Sequence, residues 1–186
     1  MILIIDNYDS FTYNLYQQVE SLGCKTIIRK HDEINIEDIK KIKQDKIIIS
    51  PGPKGPENAG ISKAIIKYFY KKIPILGVCL GHQCIGEVFG SRIIGAPIIM
   101  HGKKSKIFHN KKSIFRNIKN PFNAARYHSL IVEKVPKDFD LCVWTENNTI
   151  MSISHNRYPL FGIQFHPESF MTKEGNKIMH NFLYEV

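Results

Sequence analysis

The chain predicts an α/β fold in which a mostly parallel central sheet carries helices on both faces and additional short antiparallel strands are added in the second half. Two observations lead there. From Met1 to Phe89, apolar runs of strand length alternate with helix-length amphipathic stretches. That alternation is the mark of repeated β-α units with right-handed crossovers. Beyond Phe89 the apolar runs become short and alternating and are separated by turn residues, which is the pattern of strands joined without helices.

Taken in order, Met1–Ile5 is an apolar run suited to a central parallel strand. The turn and capping residues Asp6-Asn7-Tyr8-Asp9-Ser10 then lead into a helix over Phe11–Leu22. Thr26–Arg29 reads as an edge-ward strand, Ile36–Ile42 as a short helix, and the isoleucine-rich Lys46–Ser50 as a third strand. The loop Ser50–Pro56 holds three prolines and two glycines, stiff enough to fix the direction of its backbone N–H groups. Ile61–Tyr70 fits a helix, Ile75–Val78 a strand and Gly81–Phe89 another helix. Later strands are expected at Arg92–Ile94, Lys104–Phe108, Leu130–Val135, Leu141–Thr145, Ile150–Ser154 and Leu160–Phe165, with a last helix over Lys173–Tyr184. Ligands in such sheets bind beyond the carboxyl ends of the strands. The proline-glycine loop and Cys79 both lie at such ends, so they are expected to share a site.

At 186 residues the chain suits one domain spanning residues 1–186. Its four cysteines form no C-x-x-C pair. Cys79, His82 and Cys84 lack a second ligand pair at a fitting distance, so no metal site is expected. The N-terminal MILIID has no basic leader, and no apolar run approaches membrane-spanning length. Reduced thiols without an export signal suggest the cytoplasm, or an equivalent reducing compartment such as a plastid.

The net charge of +9 is unevenly spread. Between Glu87 and Glu133 there is no acidic residue, yet nine cations fall there: Arg92, Lys103, Lys104, Lys106, Lys111, Lys112, Arg116, Lys119 and Arg126. A nucleic-acid footprint and a solvated lysine-rich face both produce such a segment. No nucleic-acid motif accompanies it, and no nucleic-acid partner is expected.

The stretch Pro74–Phe89 carries the chemistry. Cys79 stands where a buried strand turns onto a helix, with Gly77 and Gly81 on either side. Small residues are needed there because a Cβ would clash or resist a positive φ. This is the nucleophile-elbow arrangement written with a thiol. A free cysteine in an apolar strand is otherwise a small buried hydrophobe, and the elbow alone does not separate the two.

The strand Leu160–Phe165 ends in His166-Pro167-Glu168. Proline forces the residue before it into an extended conformation, and residues two apart on extended backbone face the same way. Imidazole and carboxylate therefore lie side by side, as in the base and orienter of a triad, although a surface ion pair also satisfies His-x-Glu. Cys79, His166 and Glu168 together supply nucleophile, base and orienter for acyl transfer through a thioester. His82 reads as a packing or capping residue, and His31, His109, His155 and His180 as surface residues.

Seven ordered blocks carry a resemblance across essentially the whole chain. They are DNYDSFTYNL at Asp6–Leu15, SPGP at Ser50–Pro53, AGIS at Ala59–Ser62, GVCLGHQ at Gly77–Gln83, MHGK at Met100–Lys103, RYHSL at Arg126–Leu130 and GIQFHPES at Gly162–Ser169. The sequence resembles the class I, triad-type glutamine amidotransferases. More narrowly, it is similar to the glutaminase subunits of anthranilate synthase and 4-amino-4-deoxychorismate synthase.

The resemblance implies that Cys79 attacks the glutamine amide, His166 relays protons and Glu168 orients it. It implies backbone N–H groups of Gly52 and Leu80 for the oxyanion, and Gln83 lining the substrate pocket. His128 and Ser129 would hold the α-amino and α-carboxylate groups of glutamine. It further implies no cofactor, and ammonia delivery to a separate chorismate-binding synthase subunit in tryptophan or folate synthesis. Lys54 departs from the small residue common in relatives. A stand-alone cysteine peptidase or γ-glutamyl hydrolase would share the elbow and the triad, but would act without a partner. A non-enzymatic subunit that kept the fold is disfavoured by the intact triad residues.

Overall fold

The structure, a computed structural model, describes residues 1–186. The first half runs β1 (Ile2–Asp6), α1 (Thr12–Ser21), β2 (Thr26–Lys30), α2 (Ile36–Ile42), β3 (Lys46–Ile49), α3 (Ser62–Phe69), β4 (Ile75–Val78) and α4 (Leu80–Val88). The second half adds β5 (Ile93–Gly95), β6 (Lys103–His109), β7 (Phe122–Arg126), β8 (Leu130–Val132), β9 (Phe139–Thr145), β10 (Ile150–His155), β11 (Leu160–Ile163) and α5 (Gly175–Tyr184).

Nine strands form one sheet in the order β2-β1-β3-β4-β11-β10-β9-β6-β7, while β5 and β8 pair separately. The run β2-β1-β3-β4-β11 is parallel and the rest is antiparallel. Strand β7 lies outside the expected set of strands. Its sequence FNAAR mixes one large apolar residue with two alanines and two polar residues, so it carries little of the signal that marks strands.

Alternation builds the core. Ile2, Ile4, Ile48, Leu76 and Val78 face α1 and α5 through Leu15, Val19, Ile178 and Phe182. Their neighbours Leu3, Ile5, Ile47, Ile49 and Ile75 face α2, α3 and α4 through Ile39, Ile65, Ile66 and Ile85. Strands buried on both faces read as continuous apolar runs, and each buried isoleucine contributes roughly 1.5–3 kcal/mol.

The topology brings the site together. Strand β11 comes late in the chain yet inserts beside β4, with Ile163 level with Val78. The residues just past these two strands, Cys79 and His166, therefore project from neighbouring carboxyl ends, where an open α/β sheet holds its ligands.

Candidate active site

Cys79 links β4 to α4 with φ 52° and ψ −98°, and its N–H donates to the Ile163 carbonyl at 2.8 Å. A non-glycine residue in that region costs on the order of 1–3 kcal/mol, and the backbone bond to β11 holds it there. The positive φ falls on the cysteine itself. The glycines answer a different need: a Cβ on Gly77 would sit 2.5 Å from the Gly81 carbonyl, and one on Gly81 would sit 2.5 Å from the Ile49 oxygen.

His166 follows β11, and its Nδ1 lies 2.6 Å from Glu168 Oε1, with both side chains buried. Three anchors set the segment. The His166 N–H donates to the Ala125 carbonyl, Thr172 Oγ1 donates to the His166 carbonyl at 2.7 Å, and Gln18 Nε2 donates to the Pro167 carbonyl at 2.9 Å. Phe11 and Tyr127 wall the imidazole at ring separations of 5.3 and 5.0 Å. Burial opposes a charge on His166, but the Glu168 carboxylate and the neighbouring Cys79 sulfur outweigh it and raise the imidazole well above its ordinary range. His166 Nε2 makes no hydrogen bond within the protein, which leaves it able to take and return a proton.

Across from the thiol, neither the Gly52 nor the Leu80 N–H has an acceptor within the protein. The two residues touch, since a Cβ on Gly52 would collide with Leu80 Cδ2. The loop bearing Gly52 is tied to β1 by Asn7. Its N–H donates to Ser50 Oγ at 2.9 Å, its Nδ2 donates to the Ser50 carbonyl at 3.0 Å, and its Oδ1 accepts from Ser62 Oγ at 3.0 Å. Three of the sequence blocks are thus one hydrogen-bonded unit. Lys54 is exposed with φ 62°, a conformation that favours residues smaller than lysine.

Gln83 is buried on α4 and donates to the Leu130 carbonyl at 3.1 Å. His128 has both ring nitrogens engaged: Nε2 accepts from Arg126 Nε at 3.0 Å, and Nδ1 lies 3.0 Å from the Leu130 carbonyl. Burial, with the Arg126 charge second, pushes His128 down to about 3, so the ring is neutral. Ser129 is exposed, and its carbonyl accepts from Ala96 N–H at 2.8 Å. His82 is fully buried and pushed down to about 3, chiefly by burial; it packs against Gly162.

His109 corrects the expectation of a surface residue. It is buried, its Nδ1 accepts from the Lys111 N–H, and its Nε2 lies 3.1 Å from the Lys119 carbonyl. It shares the inward face of β6 with Ile107, two residues earlier.

Gln164 has no role in the sequence reading, although it lies inside the GIQFHPES block. Fully buried, it donates from Nε2 to Cys79 Sγ at 3.5 Å, while its Oε1 accepts from Gln83 Nε2 at 3.3 Å. A polar side chain in a strand running into the core is the available signal, because a buried amide requires partners. Gln164→Leu, which removes the donor at similar size, should slow alkylation of Cys79 by iodoacetamide on the order of tenfold at fixed pH, the effect of losing one hydrogen bond to the attacking sulfur. An unchanged alkylation rate in a folded variant would show that the contact does not act on the thiol.

Comparison with known proteins places this geometry. The family described as glutamine amidotransferase class-I matches residues 3–186. Anthranilate synthase component 2 of Cyanophora paradoxa is 55% identical, covering 98% of each chain. Aminodeoxychorismate/anthranilate synthase component 2 of Bacillus subtilis is 51% identical over 98% of this chain and 95% of its own. The crystal structure of a candidate GMP synthase protein from Thermoplasma acidophilum superposes with a TM-score of 0.86 at 26% identity, covering 98% of this chain and 91% of that one. With family, relatives and fold in agreement along its length, the chain belongs to the class I glutamine amidotransferases.

Proposed function

We propose that this chain is the glutaminase subunit of a heteromeric chorismate-using synthase, an anthranilate synthase acting in tryptophan synthesis. The observation that carries the reading is the thiol elbow at Cys79 beside the buried His166–Glu168 pair on the adjacent parallel strand. Cys79 Sγ attacks the side-chain carbonyl carbon of glutamine while its proton sits on His166 Nε2, in the imidazolium that the Glu168 carboxylate favours. The oxyanion is met by the Gly52 and Leu80 N–H groups, each such donor contributing about 3 kcal/mol. His166 then returns its proton to the leaving nitrogen and ammonia departs, leaving a γ-glutamyl thioester. Water, deprotonated by the same imidazole, releases glutamate and the thiol. Gln83 and Ser129 line the glutamine site, with the neutral His128 holding the segment in place.

The ammonia serves the lyase reaction of the partner, so the chain's own chemistry requires no cofactor. No helix is long and apolar enough to cross a membrane, and the unpaired thiols of Cys24, Cys79, Cys84 and Cys142 suit a reducing compartment such as the cytoplasm or a plastid. A second reading, the same role in 4-amino-4-deoxychorismate synthase, is favoured by the Bacillus relative, which is named for both reactions.

The experiment is affinity capture from the native cell, followed by assay of the complex with chorismate and glutamine. Glutamate release matched to aromatic amine formation is expected, and the identity of the amine separates the two pathways. Hydrolysis of peptides or γ-glutamyl chains by the isolated subunit, with no synthase captured, would overturn the reading in favour of a stand-alone hydrolase.

A further inference from the structure

Arg126 ends β7 and is 7% exposed, yet no carboxylate pairs with it. Its Nε donates to His128 Nε2 and its Nη1 to Ser105 Oγ, both at 3.0 Å, while Nη2 has no protein acceptor. A buried unpaired cation is costly, and arginine cannot escape by losing its proton. Burial does draw this guanidinium below its usual range. An uncompensated buried charge is the kind of local inconsistency that natural sequences keep at functional places.

A cavity of about 270 Å³ opens beside Arg126, bounded by Ser105 and Lys106 of β6, by Thr145 and Glu146 where β9 turns, and by Met100. It contains none of Cys79, His166, Glu168, Gly52, Leu80 or Gln83. At this size it falls below the roughly 300–1,000 Å³ of pockets for drug-sized ligands. It therefore suits a small group. Along β6 Lys106 alternates with Ser105, and its Nζ lies 5.8 Å from the Phe108 ring on the opposite face, so Arg126 is the cation that faces the cavity and Glu146 the carboxylate at its rim. Neither Lys106 nor Arg126 forms an ion pair with Glu146. The free edge of a guanidinium offers parallel N–H groups to two coplanar oxygens.

We propose that this cavity is a carboxylate-binding subsite, with Arg126 at its base and Ser105 at its side. It is joined to the catalytic region, because the same guanidinium holds His128, and Met100 N–H donates to the His128 carbonyl at 3.1 Å. Two sources share the chemistry, a free small carboxylate and an acidic side chain of the synthase subunit. The second source rests on the function proposed above, whereas the subsite itself does not.

The test is calorimetric titration of the purified chain with acetate and with malonate, at fixed ionic strength with chloride as control. Saturable binding is expected, strengthened in Glu146→Gln and lost in Arg126→Lys, whose ammonium cannot present the fork. Glu146 is exposed, so Glu146→Gln decides the matter even if substitution of Arg126 disturbs folding. Repeating the titration on the captured synthase complex assigns the source: retained binding points to a free ligand, and lost binding to a side chain of the partner. Absence of saturable binding to the wild-type chain, or binding indifferent to Glu146→Gln, overturns the proposal, and neither result bears on glutaminase activity.

Discussion

Cys79→Ser should abolish glutamine-dependent product formation by the proposed complex while ammonia-dependent synthesis continues. The substitution keeps the size of a residue that is 6% exposed and locked at φ 52°, so the elbow and its contacts survive. What is lost is the nucleophile, because the hydroxyl is far less ionised than a thiol and the site was shaped around sulfur. Loss of a nucleophile from an intact triad costs on the order of 10⁴-fold or more in kcat. Ammonia supplied from solution bypasses this step and should drive the partner at its normal rate. Equal loss of both activities would mean that Cys79 is structural.

The second large effect concerns His166 and Glu168. His166→Ala should lower thioester formation by about 10²–10⁴-fold, the usual contribution of a positioned base, whereas Glu168→Gln should cost less because the amide still accepts from Nδ1. The carboxylate also has a titration signature. In the wild type His166 is raised well above 6.5 although burial works against it. Replacing Glu168 removes the largest raising influence, so the imidazole should titrate lower in Glu168→Gln than in the wild type, as read by NMR of labelled histidine. Because the wild-type value is raised, this pair stabilises the fold fully below pH 6.5 and loses that contribution as pH rises through the folded-state value. The difference in urea stability between wild type and Glu168→Gln should accordingly narrow with rising pH. A folded His166→Ala variant that forms the thioester at the normal rate would exclude a triad.

The parallel half of the fold was legible because each of its strands is buried on both faces and stands out as an unbroken apolar run, with glycine and proline marking the ends. Ile75–Val78 and Ile36–Ile42 have the expected bounds, and the other boundaries in this half differ by at most one residue. Legibility fell where one face of a strand meets solvent. Strand β7 has two alanines and an asparagine among its five residues, and β6 begins with Lys103 and Lys104, whose exposed side chains hide the inward pair Ile107 and His109. In the site, Cys79, His166 and Glu168 could be named because each sits in a local pattern with its own mechanical reason. Gln164 and Arg126 have no such pattern. Their significance comes from partners brought near by the sheet order, Cys79 at 85 residues' separation for one and the β6 cavity for the other.

The insertion of β11 between β4 and β10 also constrains the order in which the molecule can be made. A chain folded only through α4 leaves β4 as an open sheet edge, with the backbone groups that later pair with β11 exposed and its apolar faces half covered. Such an edge templates pairing with other chains until it is capped. The cap arrives about eighty residues later in synthesis, a long-range closure of the kind that slows folding. On the function proposed above, nascent molecules carry Cys79 well before they carry His166, so a growing chain should be chemically silent while it is most prone to stick. Pulsed hydrogen exchange during refolding should find the Ile75 and Cys79 amides, which donate to the Pro159 and Ile163 carbonyls, among the last protected, and early protection there would show that β4 finds its partner sooner than this order allows.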